Sequence, residues 1–187
     1  MRLFLALDLD DDVRAAVDHA REPLRALEPS LAWVPSERLH LTLRFFGDVE
    51  PPVADALVVA VGDVARQHRP FGMVIEGLGA FPNFRRARVV WCGVEHDPRL
   101  ELLHHDVELA GERCGMEVEG RPFRPHVTVG RVRAPIEEAR GRALRRAARG
   151  VKLHQTQAVA RITLYESTLA PDGARYRRVH AASLGGD

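Results

Sequence analysis

Lysine is almost absent from this chain. Lys152 is the single one, so arginine makes up nearly all of the 27 lysine and arginine side chains among 187 residues. That leaves little for a reaction that begins by loading a nucleotide onto an active-site lysine. It supplies instead side chains whose planar fork suits phosphate, although codon usage accounts for the skew as readily. Cysteine is scarce too: Cys92 and Cys114 share no metal-ligand spacing and are too few for a disulfide framework, so both are expected to be buried free thiols. No apolar run approaches the roughly 20 residues that span a bilayer. A formal net charge of +1 provides no basic tail that would hold long nucleic acid by bulk electrostatics, so any such contact is expected to be local. The opening residues lack the long apolar core and cleavage site of a secretory signal, and Leu3, Leu5 and Leu7 ahead of Asp8 read as the first strand of a cytoplasmic protein.

What is present is one short pattern, twice. Leu39-His40-Leu41-Thr42-Leu43 returns as Pro125-His126-Val127-Thr128-Val129. Successive side chains on a strand point to opposite faces, so in each copy the His and Thr share one face while the apolar residues take the other. A single such strand is the pattern of an ordinary core or edge histidine. Two copies, each following a proline and running into glycine (Gly47, Gly130), point to one shared site. One imidazole gives or takes a proton but does not do both at once, whereas two can flank one reacting phosphorus as acid and base. The neighbouring hydroxyls can donate to non-bridging oxygens, and Arg131 or Arg124 can neutralise charge developing there. The chemistry implied is phosphodiester cleavage without a metal.

Elsewhere the punctuation predicts a helix from the aspartates at 10–12 to about residue 27, a short strand at 31–34, and a helix opened by Pro51-Pro52. Strands at 71–78 and 87–94 are joined by a loop containing Phe81, Pro82, Asn83 and Phe84. A helix opened by Pro98 precedes the second His strand, and an arginine-rich helix at 136–149 precedes two strands at 158–168 and 174–184 joined through Leu169-Ala170-Pro171-Asp172-Gly173. Helix followed by His strand in both halves predicts an α+β fold built from two similar parts. His104-His105-Asp106 reads as a surface pair and not a metal site, since adjacent helical residues point about 100° apart.

Beyond the two His strands, Arg2-Leu3-Phe4-Leu5-Ala6-Leu7, Trp33-Val34-Pro35, Gly79-Ala80-Phe81-Pro82, Leu164-Tyr165-Glu166-Ser167 and Gly173-Ala174-Arg175-Tyr176 occur in an order that resembles the 2′-5′ RNA ligase-like proteins, or RNA 2′,3′-cyclic phosphodiesterases, of the two-histidine phosphoesterase superfamily. The resemblance implies a bilobal, pseudo-symmetric domain over 1–187: two antiparallel sheets backed by helices, with a central cleft receiving one His-x-Thr-x strand from each lobe. The lobes are expected near 1–94 and 95–187, with the C-terminal strands returning to the first, in a monomer. It also implies hydrolysis of an RNA or nucleotide 2′,3′-cyclic phosphate to the 2′-phosphomonoester, with no cofactor and no metal.

In that scheme His126 is the base and His40 the acid, Thr42, Thr128 and Arg131 hold the phosphate, and the rate is bell-shaped in pH around the ordinary imidazole value near 6.5. Phe46, Phe81, Phe84 and Arg124 are the candidates for contact with the base or the RNA, with Trp33, Phe123, Arg85, Arg86 and Arg88 behind them; Tyr165 and Tyr176 are expected to brace the sheet or hydrogen-bond near the cleft. The alternatives are ligation of RNA halves through a 2′-5′ bond, a related enzyme acting on another cyclic phosphate, and a module that binds such an end without turnover.

Overall fold

The computed structural model describes residues 1–170 and 173–185. The elements run β1 (Arg2–Asp8), α1 (Asp11–Ala20), α2 (Glu22–Leu27), β2 (Ala32–Trp33), a 3-10 turn at Ser36–Arg38, β3 (His40–Asp48), α3 (Pro51–Gln67), β4 (Phe71–Phe81), β5 (Val89–Val94), α4 (Pro98–Arg113), β6 (His126–Arg131), α5 (Glu138–Gly150), β7 (His154–Val159), β8 (Arg161–Ala170) and β9 (Gly173–Ser183). The α+β class is the one expected. Where the sequence suggested one helix to residue 27, α1 stops at Ala20 and α2 starts at Glu22, with Pro23 occupying the first turn of the second helix, where its missing N–H costs nothing. The strand β7 was not expected: His154-Gln155-Thr156-Gln157 is too polar to read as a strand, and it forms because its backbone completes the edge of β4 from Phe71 to Glu76. Pro171 and Asp172 of the expected hairpin lie outside the described residues. Among the described residues, no helix is long and apolar enough to cross a membrane.

All strand pairings are antiparallel, in the order β7-β4-β5-β6-β3-β1-β8-β9, with β2 against β6. The two His strands are therefore the central neighbours. β4 and β5 stand beside β6, and β8 and β9 beside β1, so each side of the sheet draws strands from both halves of the chain. Between β3 and β6 a single residue pair is in register, Leu41 with Val127. Their apolar faces are closed off: Leu41, Val127 and Val129 are fully buried and Leu43 nearly so. Each such side chain contributes about 1.5–3 kcal/mol by leaving water. On the helical side, α4 lies against β3, α3 against α4, β8 and β9, and α5 against β4 and α2.

Two buried arginines brace the His strands through backbone carbonyls. Arg21, between α1 and α2, donates from Nη1 to the carbonyls of Val34 at 2.5 Å and Val129 at 3.0 Å, and pairs with Asp18. Arg44 of β3 donates to the carbonyls of Glu108 at 2.8 Å and Glu117 at 2.6 Å, and its guanidinium meets the Glu108 carboxylate at 2.9 Å. Glu108 in turn accepts from the Glu119 N–H at 3.0 Å, which ties the segment leading into β6 to β3 and α4. Removing one partner of such a buried pair strands the other charge, which typically costs about 3–5 kcal/mol.

Glycine in a helix is ordinarily a weakness, and two helical glycines here separate that effect from packing. At Gly62 in α3 an added Cβ would meet only Arg66 Nη1, at 3.5 Å, whereas at Gly141 in α5 it would lie 2.6 Å from the carbonyl oxygen of Phe84. Chemical denaturation should show Gly62→Ala stabilised by about 0.5–1 kcal/mol and Gly141→Ala destabilised despite the same gain in helix propensity. A Gly141→Ala variant as stable as the parent would mean that α5 does not seat on the 82–88 loop as described.

Candidate active site

The geometry of the site follows from β3 and β6 sharing one pattern. Extending the Leu41·Val127 register by one residue each way sets His40 across from Thr128 and Thr42 across from His126. The two imidazoles and the two hydroxyls thus come out on one face, on the side opposite the buried leucines and valines. A register shift follows each motif. Along β3 the partners on β1 jump from Thr42 to Arg44, leaving Leu43 unpaired, and along β6 the partners on β5 jump from Thr128 to Gly130, leaving Val129 unpaired. An extra residue turns two successive side chains to one face and returns the next to the other. Strict alternation would have sent Arg131 to the face of Val127 and Val129. The bulge brings it round to the face of His126 and Thr128, where it is exposed. Gly130, turned under, packs within reach of the Trp33 ring, where a Cβ would come to 3.0 Å.

Both histidines are held the same way. The Nδ1 of His40 lies 2.7 Å from the Arg38 carbonyl and the Nδ1 of His126 lies 2.7 Å from the Arg124 carbonyl. A carbonyl only accepts, so each Nδ1 carries the proton and each Nε2 is left for chemistry. The Nε2 of His40 is 3.1 Å from the Thr42 hydroxyl. Phe4 lies 5.1 Å from the His40 ring and Tyr176 meets it edge-on at 5.5 Å; Phe81 meets His126 edge-on at 5.1 Å.

Burial lowers the pKa of both imidazoles from 6.5. For His40 the hydrogen bond to the Arg38 carbonyl and the charge of Asp8 oppose that fall, while Arg131 and His126 add to it. For His126 the Arg124 carbonyl opposes it and Arg131 adds to it. The effect of Arg131 on both rings puts its charge near both. Only His40 has a carboxylate acting on it: Asp8 stands directly across from it in the β1–β3 register and is held by the hydroxyls of Thr163 at 2.8 Å and Tyr165 at 2.7 Å.

A cleft of about 940 Å³ is lined by Thr42, Phe45, Phe81, Phe123, Arg124 and His126, and continues to Arg86 and Arg88. A smaller hollow of about 360 Å³ lies on the other side of His40, against Asp8, Arg38, Tyr165 and Tyr176. The expected roles divide accordingly. Phe81, Phe123 and Arg124 line the cleft, Phe123 being stacked on His104 at 3.9 Å. Phe46 and Phe84 do not: they are 6% and 9% exposed and belong to the core, because the bulge in β3 turns Phe46 inward and Phe84 anchors its loop. Trp33 packs over Gly130 and donates to the Glu28 carbonyl at 3.1 Å. The expected surface pair at 104–105 is also corrected, since His104 is half-buried under Phe123, and Asp106 pairs with His68 of the segment after α3 at 2.8 Å. Cys92 is buried, its thiol pushed up to about 12 by burial, but Cys114 is only half-buried.

Two residues of the site escaped the sequence. Asp8 reads there only as the residue that follows the first strand's apolar positions; the pairing of β1 with β3 reveals it as the neighbour of His40. Phe45, 48% exposed, is the counterpart of Arg131 after the bulge, and alternation alone assigns it to the wrong face. The charged Arg44 hid the bulge, since it falls on the same alternation as His40 and Thr42 and is nevertheless buried.

An RNA 2′,3′-cyclic phosphodiesterase of Methanothermobacter thermautotrophicus is 35% identical over 176 residues, covering 94% of this chain and 95% of its own. The crystal structure of a Thermus thermophilus protein superposes with a TM-score of 0.83 at 28% identity over the whole of both chains. Escherichia coli LigT, crystallised with 3′-AMP, gives a TM-score of 0.75 at 28% identity, covering 98% of this chain and 97% of its own. Residues 9–169 match the model of the 2′-5′ RNA ligase superfamily, and the chain belongs to that family.

Proposed function

We propose that this protein hydrolyses the 2′,3′-cyclic phosphodiester at an RNA or nucleotide end to the 2′-phosphomonoester, with His40 and His126 as acid and base. The observation that carries the reading is the pairing itself: two imidazoles on adjacent strands, each with Nδ1 fixed on a carbonyl, on the face that also carries Thr42 and Thr128. The name of the Methanothermobacter relative supports the substrate class, and the 3′-AMP bound by LigT supports a nucleotide-sized cleft.

In the reaction, water attacks phosphorus in line with the ribose 3′-oxygen; the new P–O bond forms as the P–O3′ bond breaks. His126, neutral, takes the water proton on Nε2, and His40, protonated, gives its Nε2 proton to the departing oxygen. The carboxylate of Asp8 favours the charged form of His40 and has no counterpart beside His126, which supports this assignment of roles. Thr42 and Thr128 donate hydroxyl protons to the non-bridging oxygens, and Arg131 neutralises the charge gathering there, a charge-assisted bond about twice as strong as a neutral one. The product leaves with the phosphate on the 2′-oxygen.

With an RNA oligonucleotide ending in a cyclic phosphate, His40→Ala and His126→Ala should each lose about 10²–10⁴-fold in kcat, with folding intact by circular dichroism. Full activity in either variant would remove that histidine from the chemistry. The pH dependence has a defined sign. Catalysis needs one ring charged and the other neutral, and both pKa values lie below 6.5 in the free enzyme, so kcat/KM should peak on the acid side of 6.5 and not around it. The bound substrate, a phosphodiester monoanion, favours the charged rings, so the kcat profile should lie to the alkaline side of the kcat/KM profile. A kcat/KM maximum above about pH 7.5 would contradict the burial argument.

A further inference from the structure

The cleft does not end at the histidines. Past Phe81 and Pro82 it reaches Arg86 and Arg88, and these same two side chains form one wall of a second hollow, of about 380 Å³, whose other residues include Arg85 and Arg133. The cleft that begins at His126 and this outer hollow therefore meet at a cluster of four arginines, all exposed. Among the described residues no carboxylate pairs with Arg86, Arg88 or Arg133, and the nearest to Arg85 is Glu138, at 3.9 Å. Like charges this close repel, and a polyanion laid between them relieves the repulsion.

The loop that carries them is built and held. Asn83 Oδ1 accepts from the N–H groups of Arg85 at 2.9 Å and Arg86 at 3.2 Å. Phe84 and Ala87 are buried, so in Phe84-Arg85-Arg86-Ala87-Arg88 the apolar residues pin the backbone while the arginines project. The Arg88 N–H donates to the Phe81 carbonyl at 2.8 Å, and the Val132 N–H donates to the Arg88 carbonyl at 2.9 Å, which places Arg133 alongside. The backbone of Phe84 rests directly on Gly141, where no side chain would fit. Cationic forks on a fixed backbone, leading from a cleft edged by Phe45 and Phe81, have the make-up of a surface for single-stranded nucleic acid: aromatic faces for bases and arginines for the backbone.

We propose that Arg85, Arg86, Arg88 and Arg133 form a phosphate track for the RNA strand upstream of the cyclic end, so that this protein takes single-stranded RNA 3′ ends several nucleotides long in preference to cyclic mononucleotides. The proposal rests on the cyclic-phosphate reading above and adds the length and strandedness of the substrate.

The test uses the double variant Arg85→Gln/Arg133→Gln, whose two residues line only the outer hollow, with two substrates: a 2′,3′-cyclic mononucleotide and a ten-nucleotide single-stranded RNA ending in the same group. For the parent protein, log kcat/KM on the RNA should fall with log salt, by roughly 0.7 in slope for each phosphate contacted, while the mononucleotide responds little. The variant should lose about tenfold on the RNA, through KM, with a slope smaller by about 1.4 for the two contacts removed, and should change less than twofold on the mononucleotide. Fluorescence-anisotropy binding of the same RNA ending in a 2′-phosphate needs no turnover and should weaken about tenfold. Equal losses on both substrates, or unchanged RNA affinity, would overturn the track. A parent protein that turns over neither substrate yet binds the RNA, with affinity lost in the variant, would uphold the track and remove the catalytic reading alone.

Discussion

The molecule depends on a narrow seam. β3 and β6 touch through one backbone pair, Leu41 with Val127, and everything chemically active is placed relative to it. Because both strands are antiparallel and carry the same four-residue pattern, that one pair fixes four side chains: His40 against Thr128, Thr42 against His126. The fully buried Leu41 and Val127 hold the register from below, since a slip of either strand by one residue would carry its imidazole into the core and its apolar side chains into water. The two bulges then make the site more than symmetric: at the matched position after each, one strand presents Arg131 and the other Phe45. A single repeated plan thus sets an exposed cation and an exposed aromatic ring at corresponding places, with Phe45 edging the cleft.

Burial and hydrogen bonding tune the paired rings in opposite senses, and the balance differs between them. Desolvation lowers both, the carbonyls of Arg38 and Arg124 resist it, and Asp8 resists it for His40 alone. Asp8 is itself held by two hydroxyls from β8, so the asymmetry between the histidines comes from the C-terminal strands lying beside β1. In the proposed reaction this difference is what assigns the acid to one of two near-identical motifs and the base to the other. The buried arginines supply the stiffness: Arg21 grips the carbonyl of Val129 on one His strand, and Arg44 ties the other to α4 and to the segment that enters β6.

Much of this was legible in the sequence, for a physical reason. A motif in which polar chemistry alternates with apolar packing has a two-residue period, and when it occurs twice the repeat announces both the strands and their shared site. His40, Thr42, His126 and Thr128 are singled out that way, and the structure sets their two strands side by side. What escaped was whatever depends on register and not on period. Phe46 reads as a cleft residue and Phe45 as core until the unpaired Leu43 exchanges them. Asp8 has no pattern of its own and acquires meaning only from the strand beside it. The polar strand β7 follows from the open edge of β4 and not from its own residues, and α1 and α2 separate at an arginine that reaches the carbonyl of Val129, on a strand distant in the chain.

The most direct measurement of the central claim is the protonation and tautomeric state of the two imidazoles, read by nitrogen-detected NMR of histidine-labelled protein with and without a 2′-phosphomononucleotide. Two rings poised around one phosphorus should both carry the proton on Nδ1 when free, and both Nε2 resonances should shift together on binding as they engage the phosphate. Either ring protonated on Nε2 in the neutral free protein, or a ligand response confined to one histidine, would contradict the shared site.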